Sequence, residues 1–462
     1  MAKIRIGLLP FYLKLYDDLD NGSRRPKVEE FPRAIAAELT RRGLDVVAAP
    51  VCRVEKEFAA AVKKLEAEKV DAIVTLHLAY SPSLESSEVL ARTRLPIIVL
   101  DTTPTWSYAP DQDPDELMYN HGIHGVQDMC NLLLRNGKPF LIEAGHWEHS
   151  DVLDRVAALA VPARMAAAMR RGRAGMLGTA FKGMGDFYVP AAKIKSTLGA
   201  TVKSLGRETL LKLVAGVKQK DVDREIAADA RFQKDGVSDA AHARSVKLGL
   251  AIRRWAETEG LTALTFNFLN MVKKDGYGTA PFLEMSKAME RGLGYAGEGD
   301  TLTALLVGAL LAAFPDTSFT EMFCPDWEHN TLFLSHMGEV NPRLLAGTPL
   351  LREMEYTYSA TDNPAFVVGR FRPGKVALVN LAPMAAGYRL IIAPATMLDV
   401  PGVDRMRDSV RGWFTPPQPV PDFLAAYSRL GGTHHLAVTY ANDTKPFELF
   451  GALMGWDVAV IR

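Results

Sequence analysis

Cysteine is almost absent. Cys52, Cys130 and Cys324 are the only three in 462 residues. They are odd in number and far apart, which argues against a disulfide framework and a cysteine-built metal site. They suit a reducing compartment, and the cytoplasm is the expected location. Net charge is also missing, with 54 Lys and Arg against 54 Asp and Glu. That balance excludes an electrostatic case for nucleic acid or an anionic membrane as partner. No apolar run is long enough for a membrane. The longest, residues 302–314, falls short of the ~20 residues a span needs and reads as a buried helix. Pro10 and Lys14 interrupt the apolar stretch after Lys3 and Arg5, so no secretory leader is expected. There is no internal repeat and no low-complexity tract.

What is present is ordinary globular material, 48% hydrophobic and 23% charged, which excludes a disordered chain. The first third alternates in type. Residues 3–9, 45–51, 70–77, 95–101 and 139–145 read as strands, and 27–42, 56–69 and 115–135 as helices. The strands are near-continuous apolar runs, as a parallel sheet covered on both faces requires. A long helix spans 150–171. A second α/β segment follows, with a charged helical stretch over 207–259, a strand at 263–269 and two helices flanking the loop 292–300. After Pro315, strands at 366–372, 375–381 and 388–393 are separated by Pro/Gly turns and read as antiparallel. A helix at 422–429, a strand at 434–440 and a last helix and strand close the chain. The expected fold is α/β. A doubly wound, flavodoxin-like domain covers 1–172, a central α/β domain 173–315 and a mainly antiparallel β domain 316–462.

The chemistry-bearing residues gather in glycine-rich or strand-end segments. Gly294–Asp300 carries two acids just ahead of a helix. It is not a phosphate loop, since no Lys-Ser/Thr follows. Glu298 or Asp300 offers a ligand oxygen, and Asp300 also suits a helix N-cap, so Asp300 can cap while Glu298 ligates. Glu321 ends a strand-like run, His336 follows another, and His434-His435 sit beside Gly431-Gly432. In a strand, adjacent side chains point to opposite faces, so only one of the two histidines would face a given site. Two Glu and two His make a mixed O/N set suited to Mn²⁺, with Co²⁺ and Mg²⁺ as alternatives. Spacing alone leaves open whether the four converge.

These segments resemble the L-arabinose isomerase family, and more loosely the L-fucose isomerases. The family's Gly-Glu-Gly-Asp loop stands at Gly297–Asp300 and its Thr-Ser-Phe-x-Glu at Thr317–Glu321. Its Ser/Ala-His-Met-x-Glu-Val stands at Ser335–Val340 and its Gly-Gly-x-His-His at Gly431–His435. A Gly-His-Trp-Glu stretch matches Gly145–Glu148. The order is kept over nearly the whole chain. The resemblance implies an aldose–ketose isomerase acting through a cis-enediol. It implies Glu298, Glu321, His336 and His435 as metal ligands, with both glutamates as the acid/base pair and His434 pointing elsewhere. It also implies a homo-oligomer, trimer or hexamer, with active sites at subunit boundaries and His124 reaching a neighbouring subunit's site. Met184, Tyr80 and Phe268 fall near positions that line the family's sugar pocket.

Two departures bear on the substrate. The family's Ser-Gln-His-Leu-Tyr-Gly becomes Tyr12–Asp17, which puts Leu13 where the family has a glutamine. Its Asp-Tyr-Thr becomes Met322-Phe323-Cys324, which puts Phe323 where it has a tyrosine. The sugar, a pentose or (deoxy)hexose, is therefore not expected to be L-arabinose. Two other readings share the fold or the metal: a non-catalytic sugar-binding or regulatory protein, and a metal-dependent epimerase or lyase.

Overall fold

The computed structural model describes residues 3–462. The chain packs as two compact units, Met1–Ala167 with Leu449–Gly455, and Ala168–Glu448 with Trp456–Arg462. The first unit is built on a five-stranded parallel sheet. Its order is Asp45–Ala48, Arg5–Phe11, Ala72–His77, Ile97–Asp101 and Phe140–Ala144. The central strands are buried along almost their whole length, which is why their sequences run apolar without alternation. Leu9, Phe11, Ile73, Ile97 and Val99 meet Phe58, Leu65, Met129 and Leu133 from the covering helices.

The helix expected over 115–135 is broken. A 3₁₀ turn at Pro114–Glu116 and a short helix at Leu117–Asn120 precede the helix Ile123–Arg135. The break lies where Gly122 and Gly125 pack on His77. A Cβ on Gly122 would come within 2.5 Å of the His77 carbonyl oxygen, and one on Gly125 within 2.4 Å of its ring.

The second unit has two sheets. One is parallel, in the order Gly294–Gly297, Ala263–Phe266, Arg173–Leu177 and Thr201–Leu205. The helix Thr301–Leu311, buried at nearly every position, lies against it. The other has ten strands. Six of them, Tyr388–Met397, Gly374–Pro383, His435–Tyr440, Thr317–Asp326, Thr331–Ser335 and Val410–Thr415, pair antiparallel all the way round and close on themselves. The expected helical stretch 207–259 is three helices, Arg207–Ala215, Gln219–Ala228 and Asp239–Glu259. Between the last two, Gln233–Lys234 joins the ten-stranded sheet beside Leu350–Leu351. Ser238 then caps the third helix by accepting from the Ala241 N–H at 3.2 Å. Among the described residues no helix is long and apolar enough to cross a membrane.

Candidate metal centre

Strand register brings the first residues together. Glu321 and His435 are direct cross-strand partners, and on its other side Glu321 pairs with Ser335, one residue before His336. Directly opposed antiparallel residues have Cβ atoms ~4.5–5.5 Å apart. Side chains of this length can therefore meet, and His435 Nε2 lies 2.9 Å from Glu321 Oε1. His336 Nε2 is 3.5 Å from the same oxygen.

Glu298 arrives from the parallel sheet. The segment read as a loop begins as the strand Gly294–Gly297, and glycine there has a packing reason. A Cβ on Gly294 would fall 2.1 Å from the Ala304 carbonyl oxygen of the following helix. The chain then turns sharply. Glu298 has φ 63° and Gly299 φ 85°, the left-handed region that a side chain like glutamate adopts only at a cost of about 1–3 kcal/mol. Asp300 closes the turn as N-cap, accepting from the Thr303 N–H at 2.9 Å. The result places Glu298 Oε2 3.4 Å from His435 Nε2.

The three imidazoles share one arrangement. His435 Nδ1 bonds Asp300 Oδ2 at 2.9 Å, His336 Nδ1 bonds Glu339 Oε2 at 2.6 Å, and His434 Nδ1 bonds Asp186 Oδ2 at 2.7 Å. A carboxylate oxygen only accepts, so each Nδ1 carries hydrogen and a neutral ring keeps its Nε2 lone pair free. Tyr295 donates its buried hydroxyl to Glu339 at 2.5 Å and fixes that carboxylate in turn. Phe187 stacks on His435 with ring centroids 4.7 Å apart.

The electrostatics tie the carboxylates to the imidazoles. Burial opposes ionisation of Glu298, but the imidazoles of His434, His435 and His336 outweigh it and bring its pKa down to about 2. Glu321 is lowered for the same reasons. Burial works against protonation of His435 and His336, yet the carboxylates around each raise it, strongly for His435. Glu298 Oε2 and His435 Nε2 are buried and make no well-aligned hydrogen bond among the described residues, although His435 Nε2 lies 2.9 Å from Glu321 Oε1. Two such atoms facing each other across 3.4 Å fit a shared divalent ion, which satisfies lone pairs that a hydrogen bond leaves open. One ligand atom each from Glu298, Glu321, His434 and His435 lie within 4.8 Å of one another, a set that holds His434 and not the expected His336.

His434 departs from the expected alternation. The strand begins at His435, so His434 lies off its end and is free to turn. Its N–H donates to Asp186 at 3.0 Å, and its ring faces the glutamates beside that of His435. Phe323 is the extra residue of a β-bulge between Met322 and Cys324 and is exposed. Phe268 packs against Phe181, Tyr356 and Tyr358. Met184 sits two residues before Asp186 on the segment following Arg173–Leu177. Leu13, Tyr80 and His124 belong to the first unit. Leu13 precedes the helix Lys14–Asp20, Tyr80 donates to Asp128 at 3.3 Å, and His124 is exposed on Ile123–Arg135.

Family models of known proteins match two stretches. The L-arabinose isomerase central domain matches residues 190–313, and the L-arabinose isomerase C-terminal domain matches 316–457. The chain belongs to the L-arabinose isomerase family. With it, the chain belongs among the aldose–ketose isomerases. Similar curated relatives include several L-arabinose isomerases. That of Geobacillus thermodenitrificans is 25% identical over 94% of this chain and 90% of its own. That of Erwinia tasmaniensis is 27% identical over 76% and 72%. That of Lactiplantibacillus plantarum is 24% identical over 86% and 85%.

Proposed function

We propose that the protein is a metal-dependent aldose–ketose isomerase using Mn²⁺, held by Glu298, Glu321, His336 and His435. The observation that carries this reading is the convergence of Glu298 Oε2, Glu321 Oε1 and His435 Nε2, the first and last buried without a well-aligned hydrogen bond. When bound, such an ion acts as a Lewis acid toward the carbonyl and neighbouring hydroxyl of an open-chain sugar. The chain's own residues do the rest. One glutamate accepts the proton from the carbon beside the carbonyl, leaving a cis-enediol. The other moves protons between the two oxygens. Glu298 and Glu321 are both held ionised in this structure, so either can serve as base, and bound sugar decides which one takes up the proton.

The preferred sugar in this reading is not L-arabinose. Leu13 and Phe323 offer no hydrogen bond where the resembling family has an amide and a phenol, and an unpaired substrate hydroxyl costs about 1–3 kcal/mol. We further propose a homo-oligomer in the cytoplasm with sites at subunit boundaries. The exposure of Trp106, Tyr108, Leu117 and Ile123 around a groove in the first unit supports a surface that another copy covers.

The test is to strip the protein of metal, add Mn²⁺ and incubate it with a panel of pentoses, hexoses and deoxyhexoses in both aldose and ketose forms. Reversible interconversion without loss of carbon is expected, with kcat/KM for L-arabinose below that for another sugar. Interconversion that proceeds equally well without any divalent ion would overturn the metal reading. L-arabinose as best substrate would overturn the pocket reading alone.

A further inference from the structure

Side chains that would hold one ion must bring their donor atoms within a few ångströms of one another. The pairs His435–Glu321, His435–Glu298 and His336–Glu321 fall in this range at 2.9, 3.4 and 3.5 Å. So does His434, whose Nε2 is 3.9 Å from Glu298 Oε2 and 4.0 Å from Glu321 Oε1. We propose that His434 is a further donor to this metal centre when no sugar is bound and that Asp186 is its positioning residue.

Three features of the chain lead there. First, the Asp186 carboxylate oxygen takes both the backbone N–H and Nδ1 of His434, at 3.0 and 2.7 Å. This fixes ring orientation and directs Nε2 at the glutamates, as Asp300 and Glu339 do for the other two imidazoles. Second, the turn before the strand is pinned. Tyr427 donates to the Thr433 carbonyl at 2.7 Å, and Asn380 donates to Thr433 Oγ1 at 2.6 Å and to the His435 carbonyl at 2.8 Å. His434 is thereby held off the ladder on the same side as His435, with the rings 4.3 Å apart. Third, the segment bearing Asp186 is tied to the glutamate turn itself, because Phe181 N–H donates to the Glu298 carbonyl at 2.9 Å. His434 is the more exposed of the pair, so it stands on the solvent side of the centre. A third imidazole makes the donor set richer in nitrogen, which favours Co²⁺ over Mg²⁺.

This inference rests on the metal reading above, and the experiment separates the two. Metal-free wild type, His434→Ala, His434→Gln, Asp186→Asn and His435→Ala are titrated with Co²⁺ and with Mg²⁺ by calorimetry, and the visible Co²⁺ absorption is recorded. Circular dichroism of each metal-free variant checks folding. Both His434 variants should bind Co²⁺ at least tenfold more weakly, with a changed visible band and a smaller loss for Mg²⁺. Asp186→Asn should lose about tenfold with the band kept, the range seen when a residue supporting a ligand is removed. Wild-type Co²⁺ affinity and spectrum in both His434 variants, with binding lost in His435→Ala, overturns the inference and leaves the metal reading standing. Wild-type binding in His435→Ala as well overturns both.

Discussion

Each imidazole at the centre is only as well placed as the carboxylate behind it, and Tyr295 shows how far back that support reaches. Its phenol is fully buried, and its pKa is pushed well above the usual phenol range by burial and by Glu339. It therefore stays a donor to Glu339 at any working pH. Tyr295→Phe leaves a buried carboxylate oxygen without its donor, at a cost of about 1–3 kcal/mol. It also loosens His336. The expected outcome is a lower melting temperature in metal-free buffer together with roughly tenfold weaker Mn²⁺ binding, read by calorimetry. A variant with lowered stability and unchanged Mn²⁺ affinity would show that Glu339 holds His336 unaided. Residues at this scale were unevenly legible in the sequence. Glu298, Glu321, His336 and His435 could be named because short motifs carry them, and the His-x-x-Glu spacing of His336 and Glu339 was visible without its role. Asp186 gave no signal, since 248 residues separate it from His434 and only the fold joins them. His434 lies one residue before the strand begins, where strand alternation no longer holds.

Among elements, the strand Gly294–Gly297 and the helix Thr301–Leu311 fix where Glu298 stands. Besides the Ala304 oxygen, a Cβ on Gly294 would meet the backbone nitrogen of Gly308 at 2.3 Å. Backbone cannot swing aside as a side chain can, so the helix must move bodily. Gly294→Ala is expected to cost at least the 1–3 kcal/mol typical of overpacking. It should also displace Asp300, whose two oxygens cap the helix and hold His435. Urea unfolding and Co²⁺ titration should both register the change. Loss of stability with wild-type metal affinity would mean that the turn is fixed by Phe181 and the strand alone. Glycine is poor in strands, so the sequence of this segment points to a loop. The reason it is tolerated here, close approach of a helix, is a tertiary fact. The parallel strands of the first unit were legible because both faces are buried. The ring of six antiparallel strands was not, since closure depends on the pairing of Tyr388–Met397 with Val410–Thr415, which no local pattern announces.

At the scale of the molecule, the two units hold different titratable liabilities. All candidate metal donors lie in the second, so stripped protein titrated with Mn²⁺ should gain about 2.7 kcal/mol at a hundred times the dissociation constant. Calorimetric scans should show the gain in wild type and not in His435→Ala. The first unit carries His77, whose ring is fully buried against Phe11, with ring centroids 4.4 Å apart. Neither of its nitrogens has a hydrogen-bond partner among the described residues. Burial lowers its pKa to about 3, with Asp128 opposing only in part. In the unfolded chain an imidazole takes up a proton near pH 6.5. Between those values the unfolded state binds more protons than the folded one, so stability falls as pH falls. The contribution is intact above pH 6.5 and is lost at about 1.4 kcal/mol per pH unit down toward pH 3. His77→Leu removes the titrating group while keeping an apolar side chain beside Phe11 and the glycines. The substitution shifts absolute stability through packing, so the comparison is of slopes. Between pH 7.5 and pH 5.0, wild type should lose about 2 kcal/mol more than the variant in urea denaturation of metal-free protein. Equal losses in the two proteins would mean that the ring protonates in the folded unit and would overturn this account of His77.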